Sequence, residues 1–219
     1  MRDAFIVQDE IVAALGGGGV WKVGAANGSV EPGVSRLPRS LLHSGSTPVK
    51  AGDFAFIGIE GEIGFTLGRD LPARPTPYTR SEVLAAVASV HPMIELVDSR
   101  YSRWRERSPL EQTADLANHG ALVIGPASAA AVSIDQSVTA AEIWVDGERR
   151  VSLVGGNTAV DVQRLLTWLA NHAIERGHPL CAGDIVTSGS CTGLIEVSVG
   201  CVVEARIGGV GIARVTLTA

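Results

Sequence analysis

Residues 56–65 constrain this chain more than any other stretch: Phe56-Ile57-Gly58-Ile59-Glu60-Gly61-Glu62-Ile63-Gly64-Phe65. Side chains of a strand alternate between faces, so Ile57, Ile59, Gly61, Ile63 and Phe65 share one side, and Gly58, Glu60, Glu62 and Gly64 the other. Two carboxylates thus stand one pleat apart. Like charges at that spacing repel, and an ionised carboxylate is costly to bury without a partner, so the pair requires open water or a bound cation. The glycines flanking the acids favour the cation, because a face turned to solvent has no need of trimmed side chains.

A third acid follows. Thr79-Arg80-Ser81-Glu82 has the form of a helix capping box, and Val83, Val87, Val90 and Ile94 come after it at spacings of three and four. The spacing predicts a helix that His91-Pro92 ends. Beyond the proline, residues 93–98 read as a short strand with Glu95 set among Met93, Ile94, Leu96 and Val97. Reversal through the helix can return Glu95 beside Glu60 and Glu62. Three carboxylates without a nitrogen or sulfur ligand form a hard oxygen site, which suits Mg²⁺ or Mn²⁺ and leaves positions for water and substrate.

The remaining chain reads as strands with few helices. Ile6, Val7, Ile11, Val12 and Leu15 recur at helical spacing before the stop at residues 16–19. Residues 20–25 form a strand whose one lysine, Lys22, taken alone snorkels to the surface. Residues 27–52, rich in Pro, Gly and Ser, predict a loop with short extended pieces and His43 as a surface residue. Residues 102–111 are polar, with Trp104 among three arginines, and suit a mobile cover or a subunit contact. Asn118 and His119 fit a turn closed by side-chain hydrogen bonds. Residues 138–145 alternate into Asp146-Gly147, a hairpin turn with its return strand at 149–154. Asp161 precedes Val162, Leu165, Leu166, Leu169 and Ala173 at helical spacing, with Gly177 closing the element and His172 structural. A strand then ends at Ser188-Gly189-Ser190, and residues 202–217 form a hairpin about Gly208-Gly209.

A net charge of −5 without a basic cluster argues against nucleic acid, and no apolar run reaches bilayer-spanning length. Cys181, Cys191 and Cys201 lack a Cys-x-x-Cys pattern, so neither zinc nor a disulfide framework is indicated. The expectation is a soluble cytoplasmic protein with reduced thiols.

Glu60-Gly61-Glu62-Ile63-Gly64-Phe65, Leu67-Gly68-Arg69-Asp70-Leu71-Pro72 and the run from His91-Pro92 through Glu95 and Asp98 to Tyr101 together resemble the fumarylacetoacetate hydrolase superfamily. The likeness is to its 2-keto-4-pentenoate hydratase branch, which also holds oxalocrotonate decarboxylases. It implies an α+β fold, a mixed β-sheet roll of the C-terminal-domain type with a few packed helices. It also implies a single catalytic domain over residues 1–219, with 1–20 as a short N-terminal helical segment. Members carry more sequence ahead of this point, so the chain looks shortened or late-starting. By resemblance, Glu60, Glu62 and Glu95 hold Mg²⁺ or Mn²⁺, and Lys22 projects into the active site to steady charge on a substrate oxygen. Asp98 would move protons unless it pairs with Arg100. Asp115 and Ser190 would contact substrate, although Leu116 and Asn118 depart from the usual Asp-Asn-x-Ser-x-Gly.

The implied activity is a metal-dependent hydratase (lyase) that takes 2-hydroxypenta-2,4-dienoate to 4-hydroxy-2-oxopentanoate through an enolate. One alternative is a decarboxylase of 2-oxo-3-enedioates, with Arg103 or Arg105 for the second carboxylate. An acylpyruvate hydrolase is another, disfavoured because the surroundings of His43 do not match the general-base motif. A third is a catalytically weak keto-acid-binding or partner subunit. The resemblance further implies a homo-oligomer, with a related decarboxylase as a possible associate.

Overall fold

The computed structural model describes residues 1–45, 47–128, 132 and 134–219. Ser46, in the loop around His43, lies outside them. In chain order the strands are β1 (Val20–Gly24), β2 (Gly33–Leu37), β3 (Leu42–Ser44), β4 (Val49–Lys50), β5 (Ile57–Leu67), β6 (Val87–Val97), β7 (His119–Ile124), β8 (Ala140–Val145), β9 (Glu148–Val154), β10 (Ile185–Ser190), β11 (Ile195–Val197), β12 (Val202–Ile207) and β13 (Gly211–Thr218). The helices are α1 (Arg2–Ala14), α2 (Arg80–Ala86), α3 (Pro109–Ala114) and α4 (Val162–Glu175). None of them is long and apolar enough to cross a membrane.

One mixed sheet runs β2-β1-β10-β5-β6-β7-β3, with β11 also pairing β5, and a second runs β4-β13-β12-β8-β9. The α+β roll expected from sequence is the fold observed. Between the sheets lie Ile59, Ile94, Leu96, Val123, Ile143, Val203, Ala213 and Val215. On β5 these contacts come from the odd-numbered face. α4 packs Leu165, Leu166, Leu169 and Ala173 into a core shared with Trp21, Phe65 and Val186. The even-numbered face of β5 is covered as well, since Met93, Val12, Leu116 and Leu122 form a third cluster there. Both faces of β5 and of the latter part of β6 are therefore covered, so Glu62 and Glu95 lie inside the protein and Glu60 is partly buried.

Three sequence expectations change. The capping box at Thr79 and Glu82 is present, but α2 stops at Ala86, and Val87 turns into an eleven-residue strand that runs through His91 and Pro92. A spacing of four fits both the helical and the strand period, so Val90 and Ile94 did not discriminate between them. Proline in a strand removes a ladder donor. Here Gly125 donates its N–H to the Pro92 carbonyl, while the Gly125 carbonyl accepts from His91 Nδ1 at 3.0 Å. The imidazole thus serves the acceptor that the proline cannot.

The second change concerns α1, which buries Ala4, Gln8 and Val12 and leaves Ile6, Val7 and Leu15 exposed. Gln8 docks the helix by donating to Ser35 Oγ and the Thr113 carbonyl and accepting from the Arg36 amide. Third, His43 lies on edge strand β3 beside Val123, half-buried, rather than in a surface loop.

Candidate metal centre

Register alone assembles the site. Glu60 stands directly opposite Glu95 across β5 and β6, and Glu62 opposite Met93 on one side and Ser190 on the other. One row along, Gly64 opposes Thr187, which in turn opposes Lys22 on β1. Directly opposed residues share a sheet face. Lys22, Thr187, Ser190, Glu60, Glu62 and Glu95 therefore all face the same way. One carboxylate oxygen from each of Glu60, Glu62 and Glu95 lies within 4.8 Å of the others. The glycines have a different role from the one expected. A Cβ on Gly64 would strike Met93, and one on Gly58 would crowd Leu194 and Val97, so the trimmed positions admit the protein's own side chains.

Lys22 Nζ donates to Glu95 Oε1 at 2.8 Å, and to the Ala117 carbonyl at 3.4 Å. It does not snorkel. His119 Nδ1 meets the same Glu95 oxygen at 2.9 Å, and because a carboxylate only accepts, that nitrogen carries the proton. Thr187 Oγ1 and the Gly189 amide donate to Glu62 Oε2, and the Ser190 hydroxyl lies near enough to Glu60 to lower its pKa. Glu62 Oε1 and Glu95 Oε2, both fully buried, have no hydrogen-bond partner among the described residues. Orphaned buried carboxylate oxygens are expensive unless something else binds them.

The electrostatics agree. Burial, then the Glu95 charge, pushes Glu62 well above the ordinary carboxylate range and Glu60 upward too, against the opposing pull of Lys22. Burial would also raise Glu95, but Lys22 and His119 outweigh it and hold that acid down at about 2. Burial lowers Lys22, yet the three carboxylates together keep its pKa above the ordinary value. Burial lowers His119 against the raising pull of Glu95, with Lys22 and Arg100 adding to the lowering. With all three acids ionised, one ammonium would leave two negative charges uncompensated, which a divalent cation would match. The all-oxygen donor set, the two orphaned oxygens and this charge fit a hard divalent ion.

Asp98 and Asp115 are not joined to the carboxylates. Asp98 Oδ1 accepts from the Ala55 amide at 3.0 Å and the Phe56 amide at 3.5 Å, clamping the entry to β5. Arg100 pairs with Asp115, not Asp98, and Ser99 Oγ donates to Asp115 at 2.7 Å. Both acids instead line a cleft of about 550 Å³ with Phe54, Arg100, Tyr101 and Leu116. Arg103 and Arg105 form exposed pairs with Glu106 and Glu196. The sequence reading missed His119 and Thr187. Strict alternation in β10 would set Thr187 and Ser190 on opposite faces, and only the register shift between them brings both to the acids, while nothing in the pattern of His119-Gly120-Ala121 separates a turn residue from a partner of Glu95.

Residues 24–218 match the family model described as fumarylacetoacetate (FAA) hydrolase C-terminal, with Lys22 just ahead of the matched span. The chain is 34% identical over 178 residues to a 2-keto-4-pentenoate hydratase of Paraburkholderia xenovorans (strain LB400), covering 81% of this chain and 61% of that protein. It is 33% identical over 159 residues to a 2-hydroxyhexa-2,4-dienoate hydratase of Comamonas testosteroni, covering 73% and 59%. The chain thus spans about three-fifths of the length of these curated relatives. In fold it resembles 4-oxalocrotonate decarboxylase from Pseudomonas putida G7, complexed with magnesium and adipate, with a TM-score of 0.83 at 24% identity over 99% of this chain and 85% of that one. Since the family model spans nearly the whole chain and a relative exceeds 30% identity over four-fifths of it, this chain belongs to the fumarylacetoacetate hydrolase C-terminal family.

Proposed function

We propose that the chain is a Mg²⁺- or Mn²⁺-dependent hydratase that adds water to a 2-hydroxy-2,4-dienoate, such as 2-hydroxypenta-2,4-dienoate, to give a 4-hydroxy-2-oxo acid. The observation that carries this reading is the convergence of Glu60, Glu62 and Glu95 with two orphaned oxygens beside a single ammonium. The similarity to named hydratases supports the reaction class.

Glu60, Glu62 and Glu95 would hold the ion, which when bound supplies positive charge to a 2-oxo acid and its enolate. Lys22 is the catalytic residue of the proposal. Its side chain is 19% exposed, and its Nζ, aimed at the acids, steadies negative charge on the substrate's 2-oxygen as the dienol becomes a keto acid. Ser190, which stands opposite Glu62 on the same face as Glu60, offers a hydroxyl to the substrate carboxylate. Asp98 and Asp115 line a cleft with Arg100 and Tyr101, where the proposal puts the far end of the substrate's carbon chain. Arg103 and Arg105, the cations that the decarboxylase reading would use, are paired on the surface with Glu106 and Glu196. The proposal includes a cytoplasmic, homo-oligomeric enzyme.

Purified protein with Mg²⁺ is expected to bleach the dienoate absorbance of 2-hydroxypenta-2,4-dienoate, and Lys22→Met to reduce that rate by at least about 100-fold. Carbon dioxide release from 2-oxo-3-hexenedioate without any effect on the dienoate would replace this reading by the decarboxylase.

A further inference from the structure

The two fully buried acids divide their oxygens in the same manner. Glu62 Oε2 carries two donors, Thr187 Oγ1 and the Gly189 amide, and Glu95 Oε1 carries two, Lys22 Nζ and His119 Nδ1. The other oxygen of each has no partner among the described residues. An oxygen that already accepts two hydrogen bonds has little electron density left for a cation, so each acid presents one free oxygen.

Of the two donors on Glu95, Lys22 is the adaptable one, since it reaches the mouth of the site and also bonds the Ala117 carbonyl. His119 is fixed. It is 1% exposed and opens β7 directly after Leu116, Ala117 and Asn118, three consecutive residues in the left-handed region with φ of 56°, 53° and 59°. That turn aims the imidazole at Glu95 and leaves it little freedom.

We propose that His119 is a positioning residue that keeps Glu95 Oε1 occupied, so that Glu95 binds a divalent cation through Oε2 alone and the centre favours a small octahedral ion over calcium. The inference rests on the metal-centre reading above and adds the residue that sets its ion preference. Magnesium requires near-ideal octahedral geometry, whereas calcium takes six to eight oxygens and readily uses both oxygens of a carboxylate. Blocking the second oxygen of Glu95 costs magnesium nothing and removes one of calcium's routes to higher coordination.

The test is to measure the dissociation constants of Mg²⁺ and Ca²⁺ by calorimetry for the wild type, His119→Leu and His119→Asn. Asparagine carries its side-chain N–H at about the reach of Nδ1, so it keeps the bond that leucine loses. His119→Leu is expected to lower the ratio of calcium to magnesium dissociation constants by about tenfold, and His119→Asn to restore most of it. An unchanged ratio in His119→Leu, including equal weakening of both ions, overturns the proposal. Infrared spectra of wild-type protein labelled with ¹³C-glutamate provide a second readout that does not depend on the variants folding. Added Mg²⁺ should widen the splitting between the carboxylate stretches, as one-oxygen ligation does, and narrowing would overturn the proposal. Wild-type protein that binds neither ion would instead sink the metal-centre reading itself, a result distinct from either of the others.

Discussion

Glu62 is an acid stored in the wrong medium unless a cation joins it, and that has a measurable sign. Its pKa is raised by burial and then by Glu95, so the folded protein holds the proton more tightly than the unfolded chain does. Stability from this group is therefore full below the ordinary value of 4.5 and is lost as pH rises through the folded value. In EDTA, Glu62→Gln is expected to stabilise the protein at pH 8 by about 1–3 kcal/mol and to have little effect at pH 4. Urea unfolding at the two pH values checks this, and the same variant should abolish stabilisation by Mg²⁺. The strained turn makes a second residue-scale case. Ala117 at φ 53° bears a left-handed penalty that glycine does not, so Ala117→Gly should stabilise by about 0.5–1 kcal/mol. Leu116 at φ 56° has the same backbone but a buried side chain, and Leu116→Gly should destabilise by about 2–4 kcal/mol. Strain in both is the local cost of aiming His119 and the Ala117 carbonyl into the centre.

At the scale of elements, what the sequence disclosed was what is decided locally. Asp146 and Gly147 adopt φ of 51° and 84°, the turn their identities favour, and Asp161 caps α4 through the Arg164 amide. The boundary after Ala86 was hidden because it depends on which neighbours cover Val87 and Val90, and those neighbours come from distant parts of the chain. His119 was hidden for the same reason, as its partner Glu95 is met only through the β6–β7 register. The start of α2 is the local case that can be tested. Thr79 accepts from the Glu82 amide while the Glu82 carboxylate accepts from the Thr79 amide. Arg74 and then Thr79 hold the Glu82 pKa at about 2. Thr79→Ala should cost about 1 kcal/mol at neutral pH in a thermal melt. The contribution of Glu82, depressed below its ordinary 4.5, is present above that value and should fade as pH falls through about 2.

Across the whole molecule, the centre joins strands that the chain order keeps far apart. Glu60 and Glu62 come from β5, Glu95 from β6, their supporting donors from β1, β10 and the start of β7, and all are adjacent only because the sheet orders them so. An ion held there would tie five strands of one sheet and none of the second, whose β8 and β9 hairpin meets solvent along nearly all of β9. Ligand binding stabilises by mass action, about 2.7 kcal/mol at a hundredfold excess over the dissociation constant, and raises the cost of every opening that breaks the site. Amide exchange should separate the two sheets on that basis. With Mg²⁺ in excess, amides of β1, β5, β6 and β10 are expected to slow by about tenfold or more relative to EDTA, while those of β9 exchange at the same rate in both. Uniform slowing of both sheets would mean that exchange proceeds only by global unfolding, and no slowing in β5 and β6 would mean that the three acids do not bind the ion together. The contrast between sheets therefore reads out the register that brings Glu60 opposite Glu95, the pairing on which the centre depends.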